Sequence, residues 1–480
     1  NNHMGRIKKP PLPILENLEV MKAGAEGKSL AYYNEKVVFI PYTAPGDIVD
    51  VQVTRKRSSY LEGKAIHFHH LSESRTTPTC SHFGLCGGCK WQHISYEEQS
   101  RFKEQQVKDH FQRIGKVAVD EYLPIIASDQ PFFYRNKLEF TFTDRRWLTQ
   151  LDTPAEEGGP VNTQGLGFHL PGMFNKVLDI DKCYLQRDPS NAIRLAVKEF
   201  AIEHDLPFYN LHTGEGLLRN LIIRTSTTGD VMVIVVFKYD DLNKRELLEY
   251  LTVRFPEITS MMYVINEKVN DIITDLEVQL YKGDPFIMEK MEAPVAGQPD
   301  LQFKVGPISF YQTNPVQARK LYQAAFDFAG FTGNELVYDL YTGTGTIAAY
   351  IARSVKHILG IEYVEQAILD ARINAEINEI DNTTFIAGDM ARVLDRDFVR
   401  KHGKPDVVIT DPPRAGMHER VLYQLLEMEP KKIIYISCNP ASQSRDIAIL
   451  NAKYQAVKAQ PVDMFPQTHH VENVVLLERI

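Results

Sequence analysis

Short apolar runs punctuated by turn residues recur along the chain, and their rhythm changes twice. Residues 14–20, 36–40, 47–54 and 61–67 read as half-buried strands, with Gly24, Gly27, Pro45-Gly46 and Ser58-Ser59 as the turns between them. Strands of this number and length predict a small five-stranded barrel of the OB type over residues 12–70. Residues 95–114 have helical composition, with Ser95 as N-cap and Glu98 three residues on. From 132 to 237 the pattern is strand-rich and predicts an antiparallel region, with strands at 132–143, 165–169, 218–225 and 231–237. Residues 151–164 are rich in Gly, Pro and small polar types and read as a loop insertion.

Near residue 310 the rhythm becomes α/β. Asn314-Pro315 reads as an N-cap and first helical residue, opening a helix to about residue 329. Strands at 336–340, 357–361, 384–387, 407–410 and 433–437 then alternate with helices, which predicts a parallel, doubly wound sheet with its ligands at the strand C-termini. Strands at 456–464 and 474–478 are expected to add an antiparallel edge.

Size and composition narrow the class. A chain of 480 residues exceeds one compact core, so two or three domains are expected: 12–70, 71–305 and 306–480, with the 95–114 helix packing on the last. Residues 1–11 are polar, basic and Pro-ended and are expected to be disordered; Asn1-Asn2-His3 before Met4 reads as a cloning remnant. No apolar run approaches a membrane span and no secretory signal is visible, so a cytoplasmic protein is expected. A formal charge of −8 argues against a nonspecific polyanion binder and leaves room for local basic faces such as Arg55-Lys56-Arg57 beside Tyr60, or Tyr134-Arg135-Asn136-Lys137.

Five cysteines, an odd count without a signal peptide, make a disulfide framework a poor explanation. Cys80, Cys86 and Cys89 fall as C-x5-C-x2-C among glycines, with Cys183 as a fourth thiolate. Four thiolates suit Zn²⁺ or a [4Fe–4S] cluster, and a three-plus-one arrangement leans towards iron–sulfur. The spacing is not the C-x3-C-x2-C of radical enzymes, so a structural or RNA-positioning cluster is expected.

The strand ends carry the remaining chemistry. Asp339-Leu-Tyr341-Thr-Gly343-Thr-Gly345 has two glycines that let the backbone approach a nucleoside, in the D-x-x-x-G-x-G spacing of S-adenosylmethionine sites and not the dinucleotide G-x-G-x-x-G. Glu362 ends the second strand, placed to accept from ribose hydroxyls, and Asp389 follows the third, within reach of an adenine amine. The fourth strand ends in Asp411-Pro412-Pro413-Arg414; no aromatic residue follows, which weakens an amino-methylation reading. The fifth ends in Ser437-Cys438-Asn439-Pro440, setting a thiol at the sheet edge. Methylation of uracil at C5 requires such a thiol, because C5 is a poor nucleophile until a thiolate adds at C6. A base must then remove the C5 proton, and Glu472 is the first candidate, with His469 or His470 as substitutes.

These motifs, together with F-x-Q-x-N (Phe310, Gln312, Asn314), D-P-P-R-A-G and the terminal D-M-F-P-x-T-x-H-x-E, resemble the RNA (uracil-5-)-methyltransferase family over about residues 12–480. The likeness is greatest to its 23S ribosomal RNA branch, with an N-terminal TRAM barrel and an iron–sulfur cluster. The resemblance implies Cys438 as nucleophile and Glu472 as base. It implies S-adenosylmethionine contacts from Gln312, Tyr341, Glu362, Asp389 and Asp411, and Cys80, Cys86, Cys89 and Cys183 as [4Fe–4S] ligands. Gln312 rests on family likeness alone. Thr342 and Thr346 stand where the family often has Cys and Asn. The implied fold is a TRAM barrel, a central mixed β domain with the cluster, and a Rossmann-like catalytic domain; the implied partner is 23S rRNA, bound by a monomer with its target uridine flipped out. A tRNA T-loop methyltransferase and a catalytically silent RNA-binding factor are the competing readings.

Overall fold

The computed structural model describes residues 12–149 and 161–480, so the predicted disordered N-terminus and most of the 151–164 insertion lie outside the described residues. The chain divides into two compact units: residues 12–84, 88–106 and 466–469 form one, and 85–87, 107–465 and 470–480 the other.

The first unit is built on a six-stranded sheet, ordered Ile14–Glu19, Ile48–Lys56, Tyr60–His70, Lys36–Ile40, Ser29–Tyr33 and Lys22–Ala23. The last two strands were not foreseen, because Gly24 and Gly27 had marked that stretch as turn. Alternate apolar residues, among them Leu15, Val38, Ile40, Val49, Val51 and Val53, fill its interior. In the basic cluster Arg55 and Lys56 end a strand, and only Arg57 enters the hairpin, its N–H donating to the Tyr60 carbonyl at 2.9 Å. Within this unit Gln467 and Gln99 exchange two hydrogen bonds of 2.9 Å, and the Gln467 carbonyl accepts from the N–H groups of Lys90 and Trp91.

The second unit holds two large sheets. One has seven strands, in the order Met173–Asp179, Gly165–Leu170, Lys137–Thr143, Leu218–Thr225, Val231–Phe237, Ser260–Ile265 and Gln279–Gly283. It is not wholly antiparallel: Val231–Phe237 runs parallel to Ser260–Ile265, which requires the crossover helix Asn243–Arg254. That helix and Ser190–Glu203, neither of them expected, cover one face. Successive residues of Val231–Phe237 point alternately into two cores: Val231, Val233, Val235 and Phe237 face those helices, while Met232, Ile234 and Val236 join the core of the C-terminal sheet.

The C-terminal sheet has eight strands: β1 (Val119–Tyr122), β2 (Leu336–Leu340), β3 (His357–Glu362), β4 (Thr383–Ala387), β5 (Val407–Thr410), β6 (Lys432–Ser437), β7 (Tyr454–Val462) and β8 (Glu472–Arg479). Their spatial order is β4-β3-β2-β5-β6-β8-β7-β1. Strands β2 to β6 are parallel and β8 is antiparallel to both neighbours, matching the doubly wound expectation with its antiparallel edge. β1 comes from the segment assigned by sequence to the central region and pairs in parallel with β7, Val119 facing Ala456. Its pairing continues past the strand: Leu123 N–H donates to Ala459 and Ile126 N–H to Pro461, each at 2.9 Å. The predicted 95–114 helix is Tyr96–His110 closed by a wider turn at Phe111–Gly115, and Val107, Phe111 and Val117 enter the core against β6 and β8. Among the described residues no helix is long and apolar enough to cross a membrane.

Candidate active site

β6 is buried along its apolar length and stops where Asn439 turns out to cap the helix Pro440–Leu450, its Oδ1 accepting from Ala441 N–H at 3.2 Å. Ser437 Oγ accepts from Asn439 N–H at 2.9 Å and tightens the same turn. Cys438 is thereby held half-buried at the C-terminal edge of the sheet. Antiparallel register supplies its partner. Ser437 pairs with Asn473, so one step beyond the ladder Cys438 faces Glu472, which is only 7% exposed.

The electrostatics follow from that crowding. Burial, and then the charges of Glu472 and Asp411, push the Cys438 thiol up to about 11, with Arg414 partly offsetting them. Glu472 is raised well above the ordinary carboxylate range by burial and by Asp411, and Asp411 by burial, so this pair holds on to a proton near neutrality.

Asp411 also borders a second cluster, built by the glycine loop after β2. Asp339, one residue before the end of β2, has no exposed surface; Thr342 Oγ1 donates to its Oδ2 at 2.6 Å, and burial pushes its carboxyl up to about 7. The turn runs through the left-handed region at Tyr341 (φ 60°), Gly343 (φ 58°) and Gly345 (φ 75°). At Gly345 a Cβ would also meet Ala371 Cβ at 2.9 Å, so glycine is required twice over. Glu362 at the end of β3 accepts from Gly343 N–H at 3.0 Å and Val364 N–H at 3.2 Å, so its first structural act is to shape the loop. Asp389 caps the short helix Met390–Val393, accepting from Ala391 N–H at 3.0 Å. Tyr341 is half-buried, and Asp389 and Glu362 both contribute to raising its phenol, after burial and Asp446.

Three residues here gave no signal in the sequence. Tyr322, on the helix Pro315–Ala329, is 3% exposed; its hydroxyl lies 3.1 Å from Thr346 Oγ1, and the Gln312 side chain is among the groups that offset the rise of its phenol on burial. Arg224 is buried and donates to the carbonyls of Gly306, Pro307 and Ser309 at 3.0, 3.2 and 2.8 Å, fixing the approach to Gln312. Asp446 is buried as well; its Oδ2 accepts from Met417 N–H at 2.8 Å and from the Tyr435 hydroxyl at 2.6 Å. It backs Gly416 (φ 86°), where a Cβ would come within 2.6 Å of the same oxygen. The Arg414 carbonyl accepts from Asn439 Nδ2 at 3.0 Å and Ser442 Oγ at 2.9 Å, so the loop after β5 and the Cys438 turn are tied together. His470 lies edge-on to Phe465, ring centroids 6.0 Å apart.

The cysteines of the N-terminal motif are half-buried and no disulfide joins them. Cys80 and Cys89 belong to the first compact unit, Cys86 and Cys183 to the second. Burial raises the Cys80 thiol above its ordinary value, and the backbone N–H groups of His82 and Phe83 partly offset it. Among the described residues, however, no group of three or more His, Cys, Asp or Glu side chains is arranged to hold a metal ion. The predicted cluster thus rests on the spacing of its cysteines.

Comparison with known proteins bears on the family and the fold. The family described as tRNA (Uracil-5-)-methyltransferase matches residues 268–480, and the TRAM domain matches residues 17–66. An uncharacterized RNA methyltransferase of Bacteroides thetaiotaomicron is 55% identical over 95% of this chain and 99% of its own length. One from Porphyromonas gingivalis is 53% identical over 96% and 99%. Among solved structures, the Pyrococcus abyssi tRNA (uracil-54, C5)-methyltransferase in complex with S-adenosyl-L-homocysteine is 27% identical, covers 96% of this chain and 100% of its own, and superimposes with a TM-score of 0.73.

Proposed function

The chain belongs to the RNA (uracil-5-)-methyltransferase family, with a TRAM domain at its N-terminus, and from that premise we propose that it methylates C5 of a uridine in 23S ribosomal RNA. The observation that carries the chemistry is the facing of Cys438 and Glu472 across the ends of β6 and β8, with β5 and its Asp411 between them and the strand that leads into the glycine loop. Cys438 adds to C6 of the flipped base, which makes C5 an enolate carbon able to attack an electrophilic methyl. S-adenosylmethionine, when bound, supplies that methyl as a sulfonium. Glu472 then takes the C5 proton in its ionised form, with the proton shared by the pair resting on Asp411; burial and Asp411 raise its proton affinity above that of an exposed glutamate, which strengthens it as a base. Loss of that proton expels the Cys438 thiolate and restores the aromatic ring.

Gln312, Tyr341, Glu362, Asp389 and Asp411 are the proposed contacts to the methyl donor, with Glu362 for the ribose and Asp389 for the adenine. Cys80, Cys86, Cys89 and Cys183 are proposed as ligands of a [4Fe–4S] cluster that helps position RNA, with the chain acting as a monomer. Their spacing supports the ribosomal branch. Brown protein with absorbance near 400 nm, lost on Cys86→Ser, is the expected sign; colourless protein carrying zinc would overturn it.

A second reading has one finding in its favour. A tRNA uracil-54 enzyme covers 96% of this chain, so an N-terminal half of this length does not by itself exclude a T-loop substrate. The deciding experiment incubates the protein with unmodified 23S rRNA, with tRNA and with S-adenosylmethionine, and quantifies 5-methyluridine by nucleoside mass spectrometry beside Cys438→Ala. Methyluridine in rRNA alone, lost in the variant, is expected. Product in tRNA would move the substrate and keep the mechanism; no product in either would leave an RNA-binding factor.

A further inference from the structure

In the second unit, residues 129–133 together with 187–188 line an open cavity of about 520 Å³, within the range of sites that take one small planar ligand. Its wall is apolar and aromatic. Phe132 and Phe133 are half-buried, and Tyr184 stands behind them with ring centroids at 6.2 and 5.8 Å. The rim is polar: Gln130 and Arg187 are exposed and hydrogen-bonded to each other. The two rim carboxylates have local roles, Asp129 pairing with Lys320 at 3.1 Å and Asp188 Oδ1 accepting from Ala192 N–H at 3.2 Å. Phe133 is held in the left-handed region (φ 55°) by its N–H bond to the Tyr184 carbonyl at 2.7 Å, and such strain in a non-glycine residue gathers at ligand sites.

The cavity is wired to the site described above. Three residues beyond Phe133, Asn136 donates through Nδ2 to the Gln312 carbonyl and through N–H to Thr313, both at 2.9 Å. The guanidinium of Arg135 lies 5.9 Å from the centre of the Phe465 ring, on the segment that leads to Glu472. A uridine flipped into that site leaves its neighbours unstacked, and a neighbour recovers stability on an aromatic face. Gln130 and Arg187, although bonded to each other, carry further N–H donors on the exposed rim, and these suit the acceptor edge of a heterocyclic base better than an aliphatic ligand.

We propose that this cavity is a subsite for an unpaired nucleobase next to the target uridine, stacked on Phe132 and met at its edge by Gln130 and Arg187. The proposal rests on the RNA-methylating reading. Its test uses the full-length protein and a short single-stranded RNA with a central uridine flanked on both sides by 2-aminopurine, whose fluorescence falls when the base stacks. Wild-type protein should quench the probe. Phe132→Ala should abolish the quenching and weaken binding about tenfold, and Phe132→Tyr should restore both. Arg187→Ala should weaken binding and retain quenching. S-adenosylhomocysteine affinity, measured by calorimetry, should be unchanged throughout. Unaltered quenching and affinity in Phe132→Ala would overturn the subsite. Parallel loss of S-adenosylhomocysteine binding would also overturn it, by marking the ring as scaffold. A wild type that quenches but methylates no RNA would sink the methyltransferase reading and leave the subsite standing.

Discussion

The burial of Cys438 sets a quantitative condition on its thiol. Burial first, then Glu472 and Asp411, raise it from an ordinary 9.0 to about 11. Two units make the thiolate about a hundredfold rarer at neutral pH than on an exposed cysteine. Because only the thiolate alkylates, iodoacetamide at pH 8 should modify Cys438 in RNA-free protein about a hundredfold more slowly than a cysteine in an unstructured peptide. The rate should climb about tenfold per pH unit to about pH 10. Restricted access would lower the rate by a constant factor, whereas proton affinity moves the inflection, so the profile separates the two. Glu472→Gln removes the second-largest cause of the shift and should bring the inflection to lower pH; Asp411→Asn should act in the same direction. Peptide mapping by mass spectrometry reads Cys438 apart from the other four cysteines. An inflection below pH 8 would refute the reasoning, since it would mean a thiolate stabilised in the resting site. So would a Glu472→Gln profile that matches the wild type.

Given substrate RNA and methyl donor, Glu472→Gln should also accumulate a protein–RNA adduct that survives denaturing electrophoresis, with turnover down roughly 10²- to 10⁴-fold. Its melting temperature should stay close to wild type, because an amide of the same shape takes one buried charge away from beside Asp411. Gly416→Ala forces a Cβ against Asp446 at an unfavourable φ and should cost about 1–3 kcal/mol in urea unfolding, with activity falling as the Arg414 loop shifts. Tyr322→Phe removes the hydroxyl bonded to Thr346; a lost hydrogen bond of roughly 0.5–1.5 kcal/mol predicts S-adenosylhomocysteine affinity about two- to tenfold weaker, with RNA affinity unchanged, by calorimetry.

Legibility in the sequence followed burial on both faces. β2, β3, β5 and β6 are nearly continuous apolar runs, so their limits were readable to within a residue, and Asn314-Pro315 announced its helix through a side chain that does cap it, while Asn439-Pro440, read only as a turn, caps a helix as well. Strands β1 and Met173–Asp179 were missed, because half-polar edge strands carry no run and owe their existence to a partner distant in sequence or across a turn. Residues 132–136 read as strand on their aromatics, yet the strand begins at Lys137 and the preceding residues form the cavity wall. The candidate chemistry was visible where motifs are contiguous, as at Cys438 or the glycine loop. Tyr322, Arg224 and Asp446 stayed hidden for a common reason. Each lies in an ordinary helix or strand, and only the tertiary fold turns it from a core aromatic or a surface charge into a partner of the site.

Strand β1 gives the C-terminal sheet a schedule as well as an edge. Val119 leaves the ribosome 337 positions before its partner Ala456, which at usual synthesis rates of about 5–20 residues per second is a delay of roughly 17–67 s. During that interval β1 has no strand to pair with, and its few polar residues are well suited to waiting in solvent without sticking. The sheet that carries Cys438 and Glu472 therefore closes only after β7 and β8 have been made. A fragment starting at residue 306 would contain every strand-end residue discussed above and still present an open β7 edge. Such a fragment should be recovered as aggregate, and adding back a peptide spanning residues 117–127 should improve its solubility.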